Sequence, residues 1–135
     1  MLTTITLSPA QVQGMYATPV TLMPAPGSKK VIRVNSVTLS FDYNGTVFAA
    51  GDVISVRYIG GTNVLSGSGT ASTFGTAVLT TAADTVYTKG TTTSTTTHVV
   101  ALANTGIEIT NATQAFTGGT SGSVKVIVDF NIINL

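Results

Sequence analysis

The sequence predicts an all-β chain, an antiparallel β-sandwich or jelly-roll-like fold with one short helical turn near its N-terminus. Three observations lead there. Apolar and polar residues alternate with a period of two over much of the chain, as strands with one dry and one wet face require. Glycine and asparagine turn signals recur every 8 to 12 residues or so, the spacing of short antiparallel strands. Only one stretch carries the start signals of a helix. At 135 residues the length suits one packed unit, which composition divides into an N-terminal segment, residues 1–27, and a β-sandwich domain, residues 28–135.

The N-terminal segment opens on an apolar-alternating strip, Leu2, Ile5 and Leu7. Ser8-Pro9-Ala10-Gln11 then places a hydroxyl at N-cap, proline at the first helical position and an amide at N3, the pattern of a capping box. Gly14 closes that helix within two turns, and Pro19, Pro24 and Pro26 follow before Gly27. Proline fixes φ and donates no backbone hydrogen bond, so this segment reads as an extended arm packing on a neighbour or as an edge strand of the same domain. As an arm, its candidate assembly-interface residues are Leu2, Ile5, Leu7, Val12, Met15, Tyr16, Pro24 and Pro26.

Beyond Lys29, Lys30 and Arg33, read as solvated residues at the start of a strand, Ile32 and Val34 share one parity and Val37, Leu39, Phe41 and Tyr43 the other. A β-bulge or bend at Asn35-Ser36 accounts for the change. Asn44-Gly45 is the pair favoured in a two-residue hairpin turn and predicts pairing with a strand from Thr46 to Ala50. Gly51-Asp52 marks a second turn, before a strand from Val53 to Ile59 that Gly60-Gly61 ends. Residues 63–77 read as a long irregular excursion rich in glycine, serine and threonine. Further strands are predicted from Ala77 to Thr81, Val86 to Thr88, His98 to Ala103 and Gly106 to Thr110, and a last one, cleanly alternating, from Val124 to Ile132.

Groups able to do chemistry are scarce. The absence of cysteine removes disulfides, thiolate metal sites and thiol nucleophiles. His98, the one histidine, excludes two-histidine metal motifs and reads as a strand-edge residue rather than a catalytic base. No serine sits in a Gly-x-Ser-x-Gly turn. The acids Asp42, Asp52, Asp84, Glu108 and Asp129 each fit a turn, loop or polar strand face, and their spacing marks no catalytic pair. Asp42-Tyr43-Asn44-Gly45 resembles the opening of a calcium loop, but Val53 stands where its glutamate belongs. The glycine pairs lack the lysine and strand-to-helix setting of phosphate loops, and the threonine-rich run from Thr91 to Thr97 reads as a solvated loop or edge strand. No cofactor is expected.

Charge sets the rest. Charged residues make up 8% of the chain and hydrophobic ones 43%, with a net charge of +1, against about 25% charged in ordinary soluble domains. Such a surface is poorly defended by ions and finds its natural resting place against protein. No cationic run tracks nucleic acid. No apolar run reaches the roughly 18 residues that span a bilayer, and no secretory leader opens the sequence. Synthesis in a cytoplasm is the expectation.

The stretch from Ala17 to Gly27 (Ala-Thr-Pro-Val-Thr-Leu-Met-Pro-Ala-Pro-Gly), then Lys30-Val31-Ile32-Arg33-Val34 and Leu39-Ser40-Phe41-Asp42-Tyr43 with Asn44-Gly45-Thr46, resembles small structural proteins of tailed bacteriophages. The likeness covers about the first third of the chain. It implies a non-enzymatic virion component of the capsid decoration or cement type, commonly trimeric, bound to the major capsid protein on the outside of the head. An alternative is a tail or fibre-tip receptor-binding module, contacting host glycans through residues 63–75 and the aromatics Tyr58, Phe74 and Tyr87.

Overall fold

The computed structural model describes residues 1–61, 64, 73–90 and 102–135. In chain order these form β1 (Leu2–Leu7), α1 (Pro9–Gly14), β2 (Val20–Met23), β3 (Lys30–Asp42), β4 (Phe48–Ala50), β5 (Ile54–Tyr58), β6 (Thr73–Phe74), α2 (Ala77–Thr80), β7 (Thr85–Gly90), β8 (Ile107–Asn111), β9 (Phe116–Gly118) and β10 (Ser123–Asn134). The fold is antiparallel β-sheet with a short N-terminal helix. One four-stranded sheet runs β1-β10-β3-β7, a second runs β2-β8-β5-β6, and β4 pairs with β9.

Alternation explains the long strands. Along β3, Val37, Leu39 and Phe41 are buried while Thr38, Ser40 and Asp42 lie outward; β10 buries Val124, Val126 and Val128 to match. The two strands pair in register from Ser123↔Asp42 to Asp129↔Ser36, and then Phe130 meets Val34. Asn35 is the extra residue, so the expected bulge sits where the apolar parity changes. In β5, Ile54, Val56 and Tyr58 face inward and Ser55 and Arg57 do not, and Gly60 and Gly61, both at φ +111°, end it. The helix start forms as read: Ser8 Oγ accepts from the Gln11 N–H at 3.2 Å and Gln11 Oε1 from the Ser8 N–H at 2.9 Å.

Both larger sheets contribute to one core. Val37, Leu39, Phe41, Val126 and Val128 come from the first, and Leu22, Ile54, Val56, Phe74, Ile107 and Ile109 from the second. The β4-β9 ribbon adds Phe48 and Phe116, whose rings continue a line from Phe41: centroids lie 5.8 Å apart between Phe41 and Phe48 and 6.2 Å between Phe48 and Phe116. Each of these rings is seated on a glycine. An ideal Cβ would come within 2.3 Å of Phe116 at Gly51, 2.4 Å of Phe48 at Gly119 and 2.4 Å of Phe41 at Gly122.

Three expectations are corrected. Asn44-Gly45 does not close a hairpin: β3 already has β10 on one side and β7 on the other, so the chain after Thr46 leaves the sheet, and β4 pairs with β9. Only Gly45 of the pair takes positive φ. The predicted strand from Ala77 to Thr81 is instead the single turn α2, which buries Val78 and Leu79, so the chain holds a second short helix. The irregular excursion contains order at its end, where β6 pairs with β5 and Phe74 enters the core. Of the two readings of the N-terminal segment, β1 fits the edge strand of the same domain: it pairs with β10 along its length, β2 pairs with β8, and Leu7, Val12, Met15, Leu22 and Met23 share the common core. The Thr91 to Thr97 run, His98 and most of the strand predicted from His98 to Ala103 lie outside the described residues.

Candidate functional site

The candidate assembly residues divide sharply. Leu7, Val12 and Met15 are buried inside their own chain, so their apolar surface is already spent on the core and unable to meet a partner. Ile5 is half-buried against that core and Pro26 is partly covered. Leu2, Tyr16 and Pro24 stand exposed, Leu2 at 73%. Sequence periodicity separates apolar from polar. It does not separate a core shared within the chain from one completed by a neighbour.

Exposed apolar side chains that periodicity missed lie on β7. Val86 is 67% exposed and Tyr87 45%. Being neighbours, they point to opposite faces of the sheet, so exposure of both marks a strand uncovered along its side. β7 is one outer strand of the first sheet and β1, carrying Leu2, is the other. Alternation in the fragment Val86-Tyr87-Thr88 suggested a strand, but which strands end up outermost is a property of the whole topology.

The aromatics offered for glycan contact do not form a platform. Tyr58 and Phe74 are each 2% exposed, leaving Tyr87 alone at the surface. The Tyr58 hydroxyl donates to the Ile32 carbonyl, tying the second sheet to the first. Burial pushes its phenol up to about 12. The unfolded phenol titrates near ~10, so above that pH the unfolded chain releases a proton that the folded chain keeps. Stability is therefore full below pH ~10 and falls as pH rises toward ~12, by about 2 kcal/mol. Tyr58→Phe should flatten this alkaline decline and cost about 1 kcal/mol at neutral pH, from the carbonyl left unpaired. Urea denaturation of both proteins at neutral and alkaline pH measures it.

Four of the five acidic side chains are engaged in structure. Glu108 Oε1 accepts from Arg57 Nε at 2.8 Å, the two lying opposite each other on β8 and β5. Asp84 accepts the Tyr43 N–H at 2.9 Å, and Asp129 lies 3.6 Å from the N-terminal ammonium. The Thr113 hydroxyl and, more weakly, the Val53 N–H hold the Asp52 carboxyl below its ordinary value. Among the described residues no three histidine, cysteine, aspartate or glutamate side chains gather as a metal site, and no helix is long and apolar enough to cross a membrane. One surface depression is lined by Ser28, Lys29, Ala103, Asn104 and Leu135, another by Ala10, Gln11, Gly14, Thr18, Pro19 and Val20. The first is lined by a single ionisable side chain, Lys29, and the second by none. Set beside protein-family models, curated proteins and solved structures, the chain matches none of them.

Proposed function

We propose that the chain is a non-enzymatic structural protein of a tailed-bacteriophage virion. In this reading it is made in the host cytoplasm and decorates the capsid exterior as a cement protein, probing neither nucleic acid nor membrane and using no cofactor. The observation that carries it is the surface: 6 basic and 5 acidic residues in 135, most of the acids tied to partners within the chain, while Leu2, Val86 and Tyr87 stand bare on two outer strands of one sheet. Water solvates such a surface poorly, and burial against protein removes the apolar area at a gain of about 25 cal/mol per Å². The resemblance of residues 17–46 to small phage structural proteins points the same way. So does the antiparallel β-architecture, which we read as a sandwich or jelly-roll-like packing of the two four-stranded sheets, of the kind used in shells and attachments alike.

Decoration acts through linkage. A protein that binds the assembled lattice and not its separated subunits stabilises the lattice by mass action, and a symmetric trimer multiplies modest contacts per chain. Purified protein added to undecorated heads should bind the major capsid protein lattice at saturable copy number and raise the temperature at which heads release DNA by several degrees. Heads that neither bind the protein nor gain heat resistance would refute the reading.

A further inference from the structure

The two outer strands of the first sheet match each other. β1 and β7 are each six residues long, and the registers across β10 and β3 place them at the same height. Leu2 lies level with Asp129, Ser36 and Gly90; Thr4 with Ile127, Thr38 and Thr88; Thr6 with Lys125, Ser40 and Val86. Three antiparallel pairings separate the two strands, so β1 and β7 run in opposite directions. A rotation about an axis along the strands therefore brings β1 of one copy antiparallel beside β7 of the next.

The backbone groups agree as well. Met1 and Phe130 exchange both hydrogen bonds, Met1 N to Phe130 O and Phe130 N to Met1 O. In an antiparallel ladder bonded and non-bonded pairs alternate, so Thr3, Ile5 and Leu7 bond to β10 while Leu2, Thr4 and Thr6 turn their N–H and C=O groups outward. Carried across β10 and β3, the same alternation makes Thr85, Tyr87 and Lys89 bond to β3 and turns Val86, Thr88 and Gly90 outward. The outward groups of β1 and β7 thus fall on the same three levels. Side chains follow the same match: Thr6 would meet Val86 and Thr4 would meet Thr88 on the outer face, and Ile5 would meet the exposed Tyr87 on the inner one.

Natural sheets guard such edges with proline, charge or bulges. β1 has none of these, and β7 has Lys89 alone, its ammonium drawn over the Phe74 ring at 5.8 Å. Among the described residues no further strand pairs with either edge. We propose that copies of this chain join head to tail by pairing β1 of one with β7 of the next, Thr4 opposite Thr88, closing a ring of three. A heterologous contact of this kind forms a closed ring when its rotation closes. The proposal gives the surface for the trimer in the reading above and rests on that reading for the number three.

Thr4→Pro and Val86→Pro test it, since each removes an outward N–H and no bond of the folded chain, as proline at a sheet edge does. By sedimentation, the natural protein should show three times the 13.7 kDa chain mass, each variant alone the mass of one chain, and an equal mixture twice that mass, from the one intact β1 and β7 that remain. Circular dichroism should match the natural protein, and each variant should still melt cooperatively, at a temperature lowered only by the lost linkage to association. Should proline disturb the fold, Thr6→Lys with Val86→Lys sets like charges across the junction and should dissociate the ring, while Thr6→Glu with Val86→Lys restores it. A natural protein of single-chain mass, or association surviving Thr4→Pro, as pairing of two β7 edges would allow, overturns the proposal. Capsid binding by a protein that sediments as one chain would defeat the edge pairing and leave decoration standing; a ring that ignores capsids would do the reverse.

Discussion

Gly51→Ala should destabilise the protein by about 3 kcal/mol, lowering its melting temperature by about 10 °C. Two effects combine. Gly51 has φ +71°, a left-handed conformation that costs a side-chain-bearing residue about 1 kcal/mol. The added Cβ would also stand 2.3 Å from the Phe116 ring, and Phe116 is 1% exposed, with the Phe48 ring packed edge-on to it at 6.2 Å. The ring has nowhere to withdraw, so β9 must shift or the β4-β9 pairing must open. Gly45→Ala separates the two effects. Its φ of +95° is as unfavourable, but nothing lies within 4 Å of its Cβ position, so it should cost only about 1 kcal/mol. Urea titration of the two variants against the natural protein checks the difference, and equal losses would mean that the ring gives way freely.

Those glycine seats mark the boundary of what the sequence reveals. Local chemistry was legible: the capping box at Ser8, the bulge at Asn35, the inward faces of β5 and β10, and the glycine pair that ends β5. Each depends on residues close together in the chain. Pairing partners were not. Asn44-Gly45 has the composition of a hairpin turn, but turn preference is worth little against the burial of Phe48, which the chain achieves only by leaving β3 and crossing to residues 116–118. β9 itself is three residues, Phe-Thr-Gly, too short for any period to register. Ala77-Val78-Leu79-Thr80 is a brief apolar run compatible with strand or helix. Three of the candidate interface residues are covered for a related reason. Leu7, Val12 and Met15 are as apolar as any docking residue, and only the packing of β1 and α1 onto the core shows them already covered. Conversely, Val86 and Tyr87 drew no notice as assembly residues, because nothing local makes β7 an outer strand.

Deleting residues 1–7 should abolish the fold rather than merely loosen assembly. As a detachable arm the segment would be dispensable to its own domain, and the truncated chain would fold and fail only to associate. The structure makes β1 a full member of the first sheet, paired residue by residue from Leu2↔Asp129 to Leu7↔Val124. Its loss strips β10 of one hydrogen-bonding side and removes Leu7, 1% exposed, from the core. A buried leucine truncated to alanine already costs about 2–5 kcal/mol, and here the whole side chain goes, with half-buried Ile5 and the cover over Val124, Val126 and Val128. Together these exceed about 5 kcal/mol, the lower end of a small domain's stability. The truncated protein should show no cooperative melting transition and should aggregate through the newly bared β10 edge, whereas Thr4→Pro should keep a cooperative melt and sediment as single chains. The contrast is diagnostic, because an arm would give the opposite pairing of results for the deletion: a sharp melt with lost association. Removing the strand reads its place in the fold, and blocking its outward N–H reads its place in the assembly.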